Sequence, residues 1–237
     1  MKEAVCRGLE SRWSPQMIAA KYNERHPENR VGHSTIYRAL KMGLLEGYKE
    51  KTHLRRRGKR KYCRGDSSAV RPEHTIHQRP AIAESRGRFG DWEVDTLLGR
   101  VGSGGLVSAV DRKSRYVRLA IIRDKTAAET ERAVCRALCG KRVETLTTDN
   151  GSEFSNFKGI EKKLRATVYF TDPHSPWQKG GIENVNGLLR WFFPKGCDFR
   201  KVTEDEVKQV QDIINLRPRK CLGWLTPAEL FLASCCT

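Results

Sequence analysis

The sequence predicts an α/β fold, a mixed five-stranded sheet with flanking helices, preceded by a small helical segment. Three observations predict it. The texture of the chain changes near Phe89, from basic and irregular to runs rich in apolar and β-branched residues. Three such runs then follow one another with only turns between them. Beyond them, helical and extended patterns alternate to the end of the chain.

Asp91–Gly99 reads as the first strand, Gly104–Val110 as the second and Tyr116–Ile122 as the third, with a turn at Asp111–Ser114. Connections this short make the three an antiparallel meander. Residues 126–139 read as an amphipathic helix with Ala128, Val134, Cys135 and Leu138 inward, stopped by Gly140. Val143–Thr148 is the fourth strand, 155–164 a short helix, and Ala166–Phe170 the fifth strand. A loop rich in Pro and Gly leads into a helix from about Ile182 to Phe193, stopped by Pro194, and a last helix covers roughly 203–216. This is the element order of the ribonuclease-H-like fold, a scaffold that does not by itself fix a function.

The front of the chain is different. Leu9 and Trp13 stand four apart and can share a helix face. Ser14-Pro15 is a helix start, a Ser N-cap followed by Pro at the first helical position, with Ile18 and Tyr22 as apolar positions. After a polar loop at His26–Arg30, a second helix runs from His33 to Met42, with Ile36, Tyr37 and Leu40 available to pack and Ser34, Thr35, Arg38 and Lys41 outward. Two short helices joined by a turn suit a helix-turn-helix, although other small helical scraps look similar.

Charge separates the two parts further. The 237 residues carry a net charge of +17, and residues 1–90 hold 21 Lys/Arg against 9 Asp/Glu, while residues 91–237 hold 24 against 19. A basic front on a near-balanced rear suggests a polyanion-binding arm, with nucleic acid as the polyanion. Residues 51–64, KTHLRRRGKRKYCR, contain eight Lys/Arg and are expected to be an extended, solvated linker. Arg55, Arg56, Arg57, Lys59, Arg60 and Lys61 would there contact phosphates, in a sequence-independent and salt-sensitive way. Residues 65–88, with Pro72 and Pro80, look irregular. The resulting division is 1–45 helix-turn-helix segment, 46–88 basic linker, 89–200 core and 201–237 C-terminal helical extension.

No apolar run approaches the roughly 20 residues that span a bilayer, and MKEAVCRGLESR has no apolar region of a secretion signal. A membrane partner is not expected. The eight cysteines include no Cys-x-x-Cys pair. Cys135 and Cys139, four apart, would share a helix face, and reduced, buried thiols are expected, as suits a cytoplasmic protein.

Three acidic residues stand where a central sheet presents side chains. Asp95 lies mid-way along the first strand, Asp149 directly after the fourth, and Glu183 in the first turn of a later helix. Carboxylate oxygens are ligands for hard cations such as Mg²⁺. Two such ions would stabilise the attacking and leaving oxygens of an in-line phosphoryl displacement. Taken singly, each has an ordinary role too, Asp149 as a turn former before Asn-Gly and Glu183 as a charge favoured by the helix dipole. Asp91 and Glu93 share the strand face of Asp95 by alternation. Glu183, Asn186 and Arg190 fall on one helix face, and Arg190 suits a phosphate or a plain salt bridge. Trp177 and Lys179 could stack on a base and touch a DNA backbone, or Trp177 could anchor its loop in the core.

Gly90-Asp-Trp-Glu-Val-Asp95, Thr148-Asp-Asn-Gly-Ser-Glu-Phe154, and Pro173-His-Ser-Pro-Trp-Gln-Lys-Gly180 followed by Glu183-Asn-Val-Asn-Gly-Leu-Leu-Arg190 resemble bacterial insertion-sequence transposases. The nearest group is the insertion-sequence-thirty family, within the Asp-Asp-Glu transposase and retroviral-integrase superfamily. Phe193–Gly196, Arg217–Lys220, Thr226–Glu229, Trp13–Pro15 and Thr35–Arg38 match it as well. The resemblance implies that Asp95, Asp149 and Glu183 are catalytic and hold two Mg²⁺ (or Mn²⁺). It implies that the partners are double-stranded DNA, both the element's terminal repeats and the target, and a homodimer or larger synaptic assembly at the bacterial nucleoid. Asp91 and Glu93 would support the site without binding metal. Two features depart from the pattern. Gly181-Ile182 replaces a polar pair before Glu183, which removes a capping side chain, and Gly32 stands where a Ser usually caps the recognition helix. The family usually carries a further helix-turn-helix in front, which this chain begins too late to include. A ribonuclease-H-like nuclease without strand transfer, or a DNA-binding repressor without catalysis, are the competing readings.

Overall fold

The structure, a computed structural model, describes residues 1–54, 72–173 and 175–233. The chain divides into two compact units. One takes in the N-terminal helices and Leu216–Thr226; the other takes in the sheet, the helices on it and the segment from Pro227.

The first unit holds α1 (Lys2–Glu10), α2 (Pro15–Arg25), α3 (His33–Lys41) and the single turn α4 (Glu50–His53). Ser14 caps α2 as its position before Pro15 predicts, accepting from the Met17 amide at 3.4 Å. Asn23 pins the polar loop, accepting from the Val31 amide at 2.7 Å and donating to the Val31 carbonyl at 3.0 Å. A Cβ on Gly8 would lie 2.6 Å from the Ile18 side chain, so α1 reaches α2 through a residue that has none. Leu9, Ile18, Tyr22, Ile36 and Leu40 form the core of this unit. Tyr37 does not join them: one residue on from Ile36, it is turned about 100° round the helix and is exposed, edge-on to His33. Arg217 donates to the Arg12 carbonyl and so ties the returning segment to the helices.

In the second unit, β1 (Asp91–Leu98), β2 (Gly105–Asp111) and β3 (Val117–Ile122) form the antiparallel meander, while β4 (Thr145–Thr148) and β5 (Thr167–Phe170) run parallel to β1, in the order β3-β2-β1-β4-β5. This is the mixed five-stranded α/β sheet that the element order predicts. Trp92 and Val94 of β1 face one core layer with α6 (Ala127–Leu138) and α7 (Phe157–Leu164); Leu97 faces the other, with α8 (Gly180–Phe192) and α9 (Glu204–Asn215). The period-two alternation of a strand therefore sends the odd-numbered residues of β1 towards α8. Phe231, on α10 (Pro227–Ala233), stacks on Tyr116 at 4.3 Å between ring centres and meets Trp92 edge-on at 5.9 Å.

Four expectations are corrected. The buried face of α6 is Thr130, Glu131, Ala133, Val134, Ala137 and Leu138, and Ala128, about 120° round the helix from Val134, is exposed. Cys139 leaves α6 with extended backbone, shares no helix face with Cys135, and is exposed, as is Cys221. Cys63, Cys235 and Cys236 lie outside the described residues. Residues 72–88 are not irregular throughout. They contain a 3-10 turn at Ile76–Gln78 and α5 (Ala81–Glu84), with Ala83 fully buried, and the His74 carbonyl accepts from the Phe170 amide at 3.0 Å. The segment read as a C-terminal extension is shared out: α9 and α10 pack on the sheet, and Leu216–Thr226 belongs with the N-terminal helices.

Candidate active site

Asp95 and Asp149 come together because β4 runs parallel beside β1 with Thr147 opposite Glu93. Two residues further along each chain are the two aspartates, on the face turned to α8. Between them stands Lys179, from the 3-10 turn Pro176–Lys179 that precedes α8. Its ammonium is 3.0 Å from Asp149 Oδ2 and 3.6 Å from Asp95 Oδ1. Burial works against a charged lysine, but the carboxylates of Asp95, Asp149 and Glu93 outweigh it and hold its pKa above the usual range. Lys179 was expected to touch a DNA backbone; here it is buried and turned inward on the carboxylates.

Two donors orient the Asp95 carboxylate. Asn186 of α8 donates to its Oδ2 at 2.6 Å, and Ser108 of β2 in turn donates to Asn186 Oδ1 at 2.8 Å. The Thr96 amide donates to its Oδ1 at 2.9 Å. Burial raises its pKa most; Lys179 and the Thr96 amide pull it down, and the negative charges of Asp149 and Glu153 push it up. Asp149 is more open and accepts from the Gly151 amide at 3.1 Å, inside the turn that Asn150 secures by donating to the Thr171 carbonyl at 2.8 Å.

Glu183 is exposed in the first turn of α8, one turn before Asn186 and on the same face. Among the described residues, no group of three or more His, Cys, Asp or Glu side chains is gathered closely enough to hold a metal ion. The structure thus pairs Asp95 with Asp149 about a lysine and sets the helix bearing Glu183 alongside. The polar face of α8 runs along β1: one turn beyond Asn186, Arg190 donates to the Leu98 carbonyl at 2.9 Å. Trp177 is exposed and is no core anchor. Ser34, Thr35 and Arg38 are exposed on α3, while Ile36 and Leu40 beneath them are buried. Arg55, Arg56, Arg57, Lys59, Arg60 and Lys61 lie outside the described residues.

Two buried acids were not read as part of this cluster from the sequence. Glu153 accepts from Thr96 Oγ1 at 2.8 Å and pairs with Lys125 at 3.2 Å, and a Cβ on Gly151 would lie 2.7 Å from Glu153 Oε2 and 3.0 Å from Asp149 Oδ1. The signal for Glu153 was its place in the word Thr148–Phe154, four residues after Asp149. Strand alternation puts Glu93 on the face of Asp95, but its partners come from distant segments. Its Oε1 accepts from Arg112 Nη1 at 2.7 Å and its Oε2 from the Ile182 amide at 2.9 Å. The capping group missing before Glu183 is therefore supplied across the fold. Asp91 is fully buried behind the site, held by Arg88 at 3.0 and 3.1 Å and by Thr145 Oγ1 at 2.7 Å.

Comparison with known proteins adds to this geometry. Residues 86–176 match the family described as Integrase core domain. The transposase for insertion sequence element IS4351 of Bacteroides fragilis is 36% identical, over 98% of this chain and 72% of that protein. The transposase for element IS1086 of Cupriavidus metallidurans is 34% identical, over 94% of this chain and 69% of that one. The transposase of element IS30A of Escherichia coli is 31% identical, over 97% of this chain and 64% of its own length.

Proposed function

Because the chain belongs to the IS30 family of insertion-sequence transposases, with an integrase core domain, we propose that it cleaves the ends of a mobile element and joins them to target DNA, with Asp95, Asp149 and Glu183 as the catalytic carboxylates. The observation that carries the reading is the ammonium of Lys179 held between Asp95 and Asp149. One aspartate on β1 and one directly after the adjacent parallel strand β4 create a place for positive charge, and a lysine stands in it. The donor set fits a hard divalent cation, because carboxylate oxygens are its preferred ligands. Asp95 and Asp149 would hold such ions with Glu183. When bound, two Mg²⁺ or Mn²⁺ would neutralise charge on the attacking and leaving oxygens of an in-line phosphoryl transfer.

The chain's own residues contribute position. Asn186 and the Thr96 amide fix which oxygens Asp95 turns outward. The Gly151 amide does the same for Asp149. Positioning and charge stabilisation are what phosphoryl transfer asks of a protein, since no covalent nucleophile is required. The α2–α3 pair serves as a helix-turn-helix reading DNA through Ser34, Thr35 and Arg38, supported by their exposure over a buried apolar face. The arginines and lysines at 55–61 add phosphate contacts. Trp177 offers an exposed ring for stacking on a base near the cleaved end. Handling two ends together calls for a dimer or larger assembly. No helix among the described residues is long and apolar enough to cross a membrane.

The test is cleavage and joining of a labelled element-end duplex with Mg²⁺ or Mn²⁺, comparing the native protein with Glu183→Gln. Metal-dependent cleavage and joining, lost in Glu183→Gln while DNA binding is kept, is the expected result. Cleavage without joining would make the protein a nuclease, and tight salt-sensitive binding without either would make it a repressor.

A further inference from the structure

The start of α8 is poorly specified by its own sequence. Its N-cap position is Lys179, whose side chain makes no cap hydrogen bond, and its first two residues are Gly180 and Gly181. Glycines lose the most freedom on ordering, and the first amides of a helix have no partner within it. This is nevertheless the turn that must hold Glu183 still. The partner comes from β1. Glu93, 1% exposed, accepts from the Ile182 amide at 2.9 Å with one oxygen and from Arg112 at 2.7 Å with the other. A carboxylate is the group that a helix N-terminus favours.

The two glycines are not equivalent. A Cβ on Gly181 would lie 2.7 Å from Glu93 Oε2 and 2.7 Å from Arg115 Nη1, whereas a Cβ on Gly180 would meet nothing within 4 Å. Gly181 is the residue that lets the carboxylate approach the helix.

From this we infer that Glu93 is a positioning residue. Its carboxylate, seated against Gly181, ties β1 two residues before Asp95 to α8 one residue before Glu183, and so sets how those two acids face each other. The inference rests on the catalytic roles proposed for Asp95 and Glu183. The contact itself is independent of them. A misplacement of about 1 Å at a reacting centre costs on the order of a hundredfold in rate, which is the scale on which such a tie acts.

The experiment compares Gly180→Ala, Gly181→Ala, Glu93→Ala, Glu93→Gln and the Gly181→Ala/Glu93→Ala pair in the full chain. It reads hydrogen exchange at the Ile182 amide, DNA affinity, and kcat and KM for cleavage of the element-end duplex. Gly180→Ala should cleave within about twofold of the native protein, because alanine only improves the helix there. Gly181→Ala and Glu93→Ala should each lose roughly 10- to 100-fold in kcat with KM little changed, and Ile182 should lose protection. The double variant should be no worse than either single one, since both break one contact. Glu93→Gln should fall between, because an amide has one acceptor oxygen for two donors; it is the arm that remains if an alanine variant does not fold. Unchanged protection of Ile182 in the Glu93 variants, Gly181→Ala behaving like Gly180→Ala, or additive losses would each overturn the inference. If the native protein cleaves nothing, lost protection in Glu93→Ala and Gly181→Ala keeps the tie between strand and helix and removes only the catalytic reading.

Discussion

Lys179 is the side chain on which the electrostatics of the site turn. With the ammonium gone, Asp95 would face Asp149 with no compensating charge between them. Lys179→Met is therefore expected to destabilise the metal-free protein by about 1 kcal/mol, the partial exposure of Asp149 keeping the figure low. That corresponds to a fall in melting temperature of roughly 2–4 °C for a unit of this size. Added Mg²⁺ should recover more of that loss than it adds to the native protein; equal Mg²⁺ shifts in both would show that the lysine and the cation do not share a place. A second residue-scale prediction concerns acid. Arg200 grips Asp198 with two nitrogens at 2.8 and 2.9 Å and holds its pKa at about 2. The folded value lies below the ordinary 3.8. The pair therefore stabilises above that pH and its contribution is lost as pH falls through about 2. Titration followed by carboxyl NMR shifts should show this, and Asp198→Asn should remove that part of the acid dependence. At this scale the sequence was readable where a residue acts through its own position. Asp95 and Asp149 could be named from strand alternation and strand end. Lys179 could not be turned inward, nor Glu93 set on Ile182, because both contacts join segments more than 25 residues apart in sequence.

Among the elements, β3 poses the problem of a sheet edge. Among the described residues its outer amides have no strand beside them, and open edges invite pairing with other chains. Two buried amide side chains of α9 close it. Gln211 accepts from the Leu119 amide at 3.0 Å, and Asn215 both accepts from the Val117 amide at 2.8 Å and donates to its carbonyl at 3.0 Å. Asn215→Leu leaves those two backbone groups buried and unpaired, at a cost of about 1–3 kcal/mol for each, and should raise aggregation on heating; thermal melts with light scattering read both. Replacing the Phe231 ring, which stacks on Tyr116, should cost about 3 kcal/mol as Phe231→Ala. A melt unchanged by that substitution would detach α10 from the core. The five strands and the longer helices were legible in periodicity and stop signals, whereas the short α5 and α10 were not. What α9 covers was not legible either: its apolar stripe of Val207, Val210 and Ile214 says that one face is buried, and only the packed sheet shows that the amides of Gln211 and Asn215 beside them complete a strand.

At the scale of the whole molecule, the net charge of +17 is concentrated towards the front. Association with DNA should weaken steeply with salt, and changing Arg55, Arg56 and Arg57 to Gln should flatten the slope of log K against log salt by roughly 2–3 units. An unchanged slope would remove those arginines from the contact. The chain also crosses between its units three times, since after Asn215 it returns through Leu216–Thr226 to the unit of the N-terminal helices before Pro227 rejoins the sheet unit. Composition and charge mark a change of texture near Phe89, but they carry no mark of that return.

The sequence by itself determined the five strands and the longer helices, their order, and the strand and helix positions of Asp95, Asp149 and Glu183. Local rules suffice for these, since alternation, helical spacing, caps and turn residues act over a few neighbours. The tertiary structure alone decided that a lysine sits between the two aspartates, that Glu93 caps the helix whose own start has no cap, and that residues beyond 200 finish both units. Those are contacts between residues far apart in the chain. Burial and complementary charge select them, and neither exists until the sheet has formed.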